Sequence, residues 1–400
     1  MGCGRASRDN DRAGSLHSLE TLRAQGAISL AAQSMIGIWR VGVPRLAPRV
    51  MRLVQYAKSD LKRLLSEECF WQQPRLPITR RRALSQVANP RADDSDVVLF
   101  TASAQGQLIA YIGVLPDLLM NGHQQPMKFG WTTTWWVDKE SKHRPAAVAV
   151  LYAALQKYSN RLGGSCPSRE AERVLGATRK YRECVRFDQT LFVMAPPPTY
   201  RSLSLLTGWF AGAKNQILFQ HDLQRHQLEI RVLDAVDADF ESFVNARIHG
   251  DPLLRDSAYW TWVLAFPWVS AAAEDEAEQE RYAFSVFAKD FRQVPILVKR
   301  RGTSLALLIL TLRKGRLTLK YAYYDLSDAA DVATALRVAV AGINPYLFVS
   351  ADCVLNAELK RQFPFYFARI HKTSAIYAAN GLPLSLGRHA HWATGEKVFT

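Results

Sequence analysis

A run of cationic side chains lies between a tryptophan-rich segment and an alanine-rich segment with helical periodicity. Lys142, His143 and Arg144 directly precede Pro145, a residue type favoured in the first turn of helices. A helix N-terminus carries a partial positive charge and unpaired N–H groups, so it binds anions such as phosphate. The sequence therefore predicts an anion site at residues 142–147.

Acid–base chemistry next to this site would need a group that exchanges protons, and the strand predicted over 128–137 contains no carboxylate. Asp138 follows that strand and Asp117 ends the motif VLPD, so both are candidates for a general base. Two alternatives stay open. Each aspartate could instead cap a turn, or a bound water could relay the proton.

Three tryptophans in the same predicted strand could stack on a sugar or an acyl group. By period-two alternation, Trp131 and Trp135 lie on one face of the strand and Trp136 lies on the other. The pattern predicts that one face belongs to the core and the other to a ligand cleft.

The order of elements appears twice along the chain. The first half reads as strands from Asp96 that turn at AQGQ, a strand over 128–137, a helix over 145–160, a glycine break at 162–165, a helix near 168–178 and strands over 182–194. The second half reads as strands over 281–289, 294–312 and 315–325, a helix over 328–343, a strand, a short helix over 355–362 and a terminal strand. We therefore predict two copies of one α/β unit in tandem.

The two copies differ where their long helices begin. The turn before the second helix reads YYDLSDAAD and is acidic, whereas the turn before the first is cationic. We expect only the first copy to suit a phosphorylated ligand.

Domain boundaries follow from breaks in these patterns, the strongest being the proline-rich APPPTYRS at 195–202. The predicted organisation is a disordered basic tail at 1–16, a helical N-terminal region at 17–95 with a basic amphipathic helix over 49–65, a first unit at 96–195, a linker and connecting segment at 196–236, and a second, degenerate unit at 237–400.

Composition restricts the class of protein. The chain has 400 residues, 48% of them hydrophobic, and no apolar run long enough for a membrane helix. Its five cysteines are far apart and form no CxxC pair, which favours a reducing cytoplasm and predicts no metal site. Residues 1–91 contain 16 Lys and Arg against 6 Asp and Glu, so +10 of the +15 net charge lies in the first quarter. This basic region could contact a membrane surface or simply be solvated, and the chain has no nucleic-acid-binding signature.

The run from WQQPRLPITRRRALSQVANP through YIGVLPDLL to GWTTTWWVDKESKHRP resembles a subgroup of the GNAT superfamily, the acyl-CoA N-acyltransferases. The resemblance covers about residues 70–195, and the C-terminal HAHWATGEKVFT is similar to that subgroup's C-terminus. Members typically pair two GNAT-like units and occur with cell-surface polysaccharide biosynthesis. The resemblance implies an α/β fold with two GNAT-like units in tandem, each a mixed, mainly antiparallel twisted sheet flanked by helices.

The resemblance also implies roles for individual residues. In the superfamily the fourth strand binds pantetheine, and the following loop and helix N-terminus hold the pyrophosphate of CoA. Here Trp136 and Val137 would offer backbone groups to pantetheine, and Tyr181 matches the tyrosine that often serves as the general acid, although it could also be a half-buried tyrosine that caps the sheet. The residues expected to face the pyrophosphate are Lys142, His143, Arg144, Ala146 and Ala147.

One departure from the family pattern affects the cofactor prediction. The superfamily loop usually reads Gln/Arg-x-x-Gly-x-Gly/Ala, whereas residues 142–147 read KHRPAA and contain no glycine. Either cationic side chains replace the backbone cradle, or CoA binding has been lost. The resemblance thus implies an acetyl-CoA or other acyl-CoA-dependent N-acyltransferase that acts on an amino sugar or similar amine in surface polysaccharide biosynthesis. The alternative is a catalytically inactive GNAT-like scaffold.

Overall fold

The computed structural model describes residues 51–120, 125–140, 145–194, 221–247, 251–362, 367–386 and 395–400. The predicted tail at 1–16, the segment 17–50 and residues 195–220 lie outside the described residues. The strands are β1 (Met51–Ala57), β2 (Val97–Ala104), β3 (Gln107–Leu119), β4 (Met127–Val137), β5 (Leu162–Ser165), β6 (Tyr181–Val193), β7 (Leu228–Val232), β8 (Arg292–Arg300), β9 (Thr303–Arg313), β10 (Arg316–Tyr324), β11 (Leu347–Ser350) and β12 (Phe367–Ala379).

Helices connect these strands and cover the sheet. They are α1 (Lys58–Leu64), α2 (Glu68–Trp71), α3 (Arg80–Ala88), α4 (Ala146–Lys157), α5 (Arg169–Thr178), α6 (Ala238–Asn245), α7 (Ser257–Ala265), α8 (Ala273–Gln279), α9 (Ala329–Ile343) and α10 (Cys353–Gln362). A 3₁₀ turn over Gly395–Phe399 follows near the C-terminus. Among the described residues, no helix is long and apolar enough to cross a membrane.

All twelve described strands form one sheet in the order β1-β2-β3-β4-β5-β12-β6-β11-β10-β9-β8-β7. This order is symmetric, because it reads the same from either edge when β1–β6 are matched to β7–β12. At the centre of the sheet, the two halves of the chain exchange strands. The last strand of the chain, β12, lies between β5 and β6, and β6 lies between β12 and β11. Each half of the chain therefore completes the sheet of the other half.

The two units share their pairing pattern as well as their order. Most neighbouring strands are antiparallel, but β4 runs parallel to β5 and β10 runs parallel to β11. In each unit a long helix follows the first strand of the parallel pair along the chain. It is α4 after β4 in the first unit and α9 after β10 in the second. The predicted fold class, two α/β units in tandem with mainly antiparallel sheet flanked by helices, is confirmed.

The N-terminal helix predicted over 49–65 is wrong in its first part. Residues Met51–Ala57 form β1, an edge strand paired with β2, and the helix starts only at Lys58. The apolar positions of this segment fit both periods, and the free edge of β2 decided between them. The Asp60 carboxylate then accepts a hydrogen bond from the Ala57 amide (2.8 Å) at the start of α1.

Three other segments differ from the sequence predictions. The glycine break at 162–165 is the strand β5, and β7 lies inside the predicted connecting segment 196–236. Conversely, residues 281–289 do not form the predicted strand. Their backbone forms one isolated bridge, between Phe287 and Ser270, and the Gln279 amide donates to the Phe284 carbonyl (3.1 Å) and accepts from the Val286 N–H (2.9 Å).

The sheet has two faces with separate cores. On the α7 face, one cluster crosses the boundary between the units, and Trp260 of α7 packs edge-on against Tyr321 of β10 (5.1 Å between ring centroids). The same helix contacts the first unit, since Trp262 Nε1 donates to the Ser85 carbonyl (2.7 Å). The opposite face packs against α4 in the first unit and against α9 and α10 in the second.

Candidate functional site

The β4–β5 pair opens partway along β4. The parallel register holds only from Gly130, opposite Leu162, to Thr132, opposite Gly164. On its other edge, β4 continues to pair with β3 as far as Val137. Among the described strands, residues 135–137 therefore have a strand partner on one edge only, and their other edge is open to a ligand that can form backbone hydrogen bonds.

A β-bulge lies in this open part of β4. The register with β3 shifts between Tyr111 and Gly113, and Thr134 has a φ of 44°, which is strained for a β-branched residue. Gly113 makes the bulge possible, because a Cβ added there would lie 2.4 Å from Thr133 Oγ1. Strained bulges often occur at binding sites, where they redirect neighbouring groups.

The bulge overturns the predicted alternation of the tryptophans. Trp131 packs in the cluster on the α7 face, and Trp136 stacks on Tyr111 on that same face (5.2 Å). Trp135 lies on the opposite face, where its Nε1 donates to the Ala147 carbonyl of α4 (3.0 Å). The extra residue inverts the parity after Thr134, so Trp131 shares a face with Trp136 and not with Trp135.

The bulge also decides which backbone groups face the opening. The Asp138 N–H donates to the Ile109 carbonyl of β3 (2.8 Å). Because hydrogen-bonded and non-hydrogen-bonded pairs alternate along antiparallel strands, the backbone groups of Trp136 also point towards β3 and those of Val137 point away from it. Of the two residues predicted to offer backbone to pantetheine, Val137 faces the open edge, whereas Trp136 does not.

Helix α4 begins close to this edge. Pro145 is its N-cap, with a φ of −65°, and no side chain caps the first turn among the described residues. Ala146, the first residue of the helix, is buried, and the Ala147 carbonyl accepts a hydrogen bond from Trp135. These contacts hold the start of α4 against β4. The predicted phosphate ligands Lys142, His143 and Arg144 lie outside the described residues.

The structure places Asp138 at the end of β4, beside the opening. Its carboxylate forms an ion pair with Arg75 (3.0 Å) and accepts a hydrogen bond from the Glu140 N–H (3.2 Å). The Arg75 guanidinium in turn lies over the Trp136 ring (5.0 Å). Asp138 thus combines an accessible carboxylate with a fixed position, and its role as a base stays a prediction.

Asp117 lies in a different environment, deep in the core. Its two oxygens bind Arg255 in a bidentate pair (2.9 and 2.8 Å), and Trp131 Nε1 donates a third bond (2.8 Å). The side chains of Asp117 and Arg255 are only 2% and 1% exposed. Burial alone would lower the pKa of Arg255, but the Asp117 carboxylate raises that pKa above its ordinary value. These contacts describe a structural ion pair between the two halves of the chain.

Tyr181, the predicted acid, starts β6 opposite Ala379 and packs in the cluster under α4. Its hydroxyl is buried with no hydrogen-bond partner among the described residues, and burial raises the pKa of Tyr181 above its ordinary value. The three candidates are not brought together. Asp117 lies opposite Phe129 in the sheet, nine residues from Asp138 along β4, or about 30 Å.

The corresponding gap in the second unit is bridged. The register of β10 with β11 ends at Thr318, and the Tyr324 hydroxyl then bonds to both oxygens of Asp352 (2.9 Å each). At the start of α9, Arg300 binds Asp328 and Asp331 (2.9 Å each). The acidic turn predicted from the sequence is thus neutralised within the chain.

A cationic cleft of about 490 Å³ lies on the α7 face, and the sequence reasoning missed it. It begins at Cys166, the first residue after β5, and extends over the start of β10. The signal was present as alternating polar residues in RLTLK, at 316–320. The described lining residues are Cys166, Gln189, Thr311, Arg313, Lys314, Arg316, Thr318, Lys320, Tyr346, Lys372, Lys397 and Thr400.

Comparisons with known proteins give similarity only at the level of structure. No protein-family model matches the chain, and no curated protein matches it. A GCN5-related N-acetyltransferase from Anabaena variabilis is 11% identical, with 82% of this chain and 72% of that chain covered and a TM-score of 0.46. Saccharomyces cerevisiae N-myristoyltransferase with bound myristoyl-CoA is 10% identical, with 86% of each chain covered and a TM-score of 0.44. Scores below 0.5 at such identities do not assign this chain to a family.

Proposed function

We propose that the protein is an acyl-CoA-dependent N-acyltransferase whose first unit binds the acyl-CoA. The observation that carries this proposal is the open edge of β4 over residues 135–137, followed along the chain by a helix that starts at Ala146 and that no described side chain caps. An extended pantetheine arm has amide groups that fit a free strand edge, and a helix N-terminus suits its pyrophosphate. The cations predicted at 142–144 would bind phosphate through their side chains, in place of the backbone N–H groups that a glycine-rich loop brings close to it.

Acyl-CoA supplies the thioester whose acyl group is transferred to an amine. The residues of the chain have to accept a proton from the attacking amine and return one to the thiolate. Asp138 is the best-placed candidate base, because it lies at the open end of β4 and its carboxylate is partly accessible. The finer proposal, N-acetyl transfer to an amino sugar or similar amine in surface polysaccharide biosynthesis, rests on the sequence resemblance alone.

A non-catalytic binding protein is the second candidate function. It is favoured by the environments of Asp117, which is held in a buried ion pair, and of Tyr181, whose hydroxyl points into the core. Such a protein could bind CoA through the same edge without transferring an acyl group. The two functions differ in turnover and not in binding.

Calorimetric titration of the full chain with acetyl-CoA tests the cofactor site. We expect micromolar binding, and a loss of roughly a hundredfold or more in the double variant Lys142→Ala/Arg144→Ala, since two charge-assisted contacts to phosphate are removed. Lys157→Ala, at the other end of α4, is the matched control and should bind as the wild type does. Equal affinity in the double variant would contradict the cofactor site.

Thiol release in the presence of amino sugars separates the enzyme from the binding protein. A rate that depends on the amine, and that falls in Asp138→Asn while acetyl-CoA binding is retained, supports the transferase. Binding without any turnover across amino sugars and simple amines supports the non-catalytic alternative.

A further inference from the structure

The cationic cleft has a charge pattern that requires explanation. Six cationic side chains line it and no described lining side chain is acidic; the six are Arg313, Lys314, Arg316, Lys320, Lys372 and Lys397. Like charges brought together on a folded surface repel one another, so such a group is costly unless an anion offsets it. The Asp290 carboxylate raises the pKa of Arg313, against the larger effect of burial, and it accepts hydrogen bonds from the N–H groups of Lys314 (2.6 Å) and Gly315 (2.5 Å).

Buried polar atoms in the cleft lack partners in the part of the chain that the structure describes. Thr311 is 2% exposed, and its hydroxyl has no hydrogen-bond partner there. Nε of Arg316 is also buried and has no hydrogen-bond partner there. Arg316 of β10 lies opposite Arg313 of β9 in the sheet. Buried donors are normally satisfied, and a hydrogen-bond acceptor bound in the cleft would satisfy these.

Lys320 lies among the cations of this cleft. Its side chain is 6% exposed and donates to the main-chain oxygen of Thr400 (2.5 Å). Burial lowers the pKa of Lys320 to about 7, and the nearby Lys397, Arg316 and Arg313 lower it in the same direction. A bound anion would reverse this effect and hold the lysine charged.

We propose that this cleft binds a phosphate-bearing anion with two or more negative charges, and that this anion is the charged end of the acyl acceptor. An arginine guanidinium can bind two phosphate oxygens at once through parallel N–H donors. The cleft volume is in the range of small-molecule sites. The assignment to the acceptor rests on the proposed function, whereas the anion site stands without it. Its position supports the assignment, because the cleft starts where β5 ends and lies on the face opposite α4.

Calorimetric titration of the full chain with inorganic pyrophosphate tests the anion site, at constant ionic strength because salt screens such contacts. We expect binding in the wild type and a loss of roughly tenfold or more in Arg316→Gln and in Lys372→Gln. Lys157→Gln, on the opposite face, makes the same change in charge and should bind as the wild type does. Circular dichroism checks that each variant is folded, and the exposed Lys372 carries the test if Arg316→Gln is not.

A second titration in the presence of saturating coenzyme A distinguishes two sources of the phosphate. Unchanged pyrophosphate affinity supports the acceptor, because both ligands then bind at once. Competition between them overturns the acceptor assignment and indicates that the cleft holds phosphates of CoA itself. Absence of pyrophosphate binding, or equal binding by all variants, overturns the anion site. Pyrophosphate binding without any CoA binding leaves the anion site standing and contradicts only the proposed function.

Discussion

The first and second units have the same strand order but differ at equivalent positions around their parallel strand pairs. The first paired residue is Gly130 in the parallel β4–β5 pair and Arg316 in the parallel β10–β11 pair, so these two residues are equivalent. Four residues further along, the bulges lie at the equivalent positions Thr134 and Lys320. Eight residues after each starting point stand Asp138 and Tyr324. Asp138 binds Arg75 and leaves the gap beside it open, whereas Tyr324 bonds across its gap to Asp352.

The helices that follow extend this contrast. α4 is preceded by the sequence SKHR, while the start of α9 is occupied by carboxylates that bind Arg300 and His226. The sequence before α4 fits the phosphate site proposed for the first unit, whereas the carboxylates at the start of α9 are engaged in ion pairs within the chain. The second unit instead contributes cations to the cleft on the α7 face. Equivalent positions of a repeated fold thus carry different charges in the two units.

The largest expected effect separates the two aspartates of the first unit. Asp117→Asn should lower the free energy of unfolding by about 3–5 kcal/mol, because it leaves the Arg255 guanidinium buried without the carboxylate that binds it through two hydrogen bonds. Asp138→Asn breaks only a partly exposed pair and should cost about 1 kcal/mol or less. Denaturant titration measures both. A stable Asp117→Asn variant that loses turnover would instead make Asp117 the base.

A pH-dependent effect distinguishes the two bulges, since only the second contains a titratable residue. The pKa of Lys320 is about 7 in the folded chain and near its ordinary 10.5 when unfolded, so between these values the unfolded state binds more protons and stability rises with pH. The stabilisation that Lys320→Met gives over the wild type should therefore shrink by about 4 kcal/mol from pH 6 to pH 10. Urea titrations in buffers without phosphate or sulfate check this, with Lys157→Met as the control. A pH-independent difference would exclude the lowered pKa.

The smallest effect tests the bridge in the second unit. Tyr324→Phe removes a hydroxyl that bonds to Asp352 and should cost about 1 kcal/mol of unfolding free energy, whereas Tyr152→Phe on the exposed surface of α4 should cost almost nothing. We expect one CoA per chain in the wild type and in Tyr324→Phe. A stoichiometry of two in the variant would show that the bridge had been blocking a second site.

Local patterns predicted much of this architecture correctly. Alternation of apolar residues located β2, β3, β8, β9 and β10, and helical spacing located α4 and α9, because each signal is contained within a dozen residues. The repeat of these elements was sufficient to predict two units. Where one segment fitted two periods, as in residues 51–57, the prediction was wrong, since the free edge of β2 selected the strand.

The chemistry of the site was less accessible from the sequence. A single extra residue at Thr134 changed which tryptophans share a face and left Val137, not Trp136, at the open edge. Asp117 looked like a turn residue or a base, but its partner Arg255 lies 138 residues away. Neither fact has a local signature, because both depend on which segments meet in the folded chain.

By itself, the sequence determined most of the long strands and helices, the doubling of the unit, and the opposite charges before the two long helices, but not β1, β5 or β7. These properties follow from periodicity and composition, which act over short distances along the chain. The tertiary structure decided the exchange of β6 and β12, the open gap beside β4, the bridged gap beside β10 and the convergence of six cations on one face. Such features arise from pairing between segments far apart in sequence, where the packing of the whole sheet selects the partner.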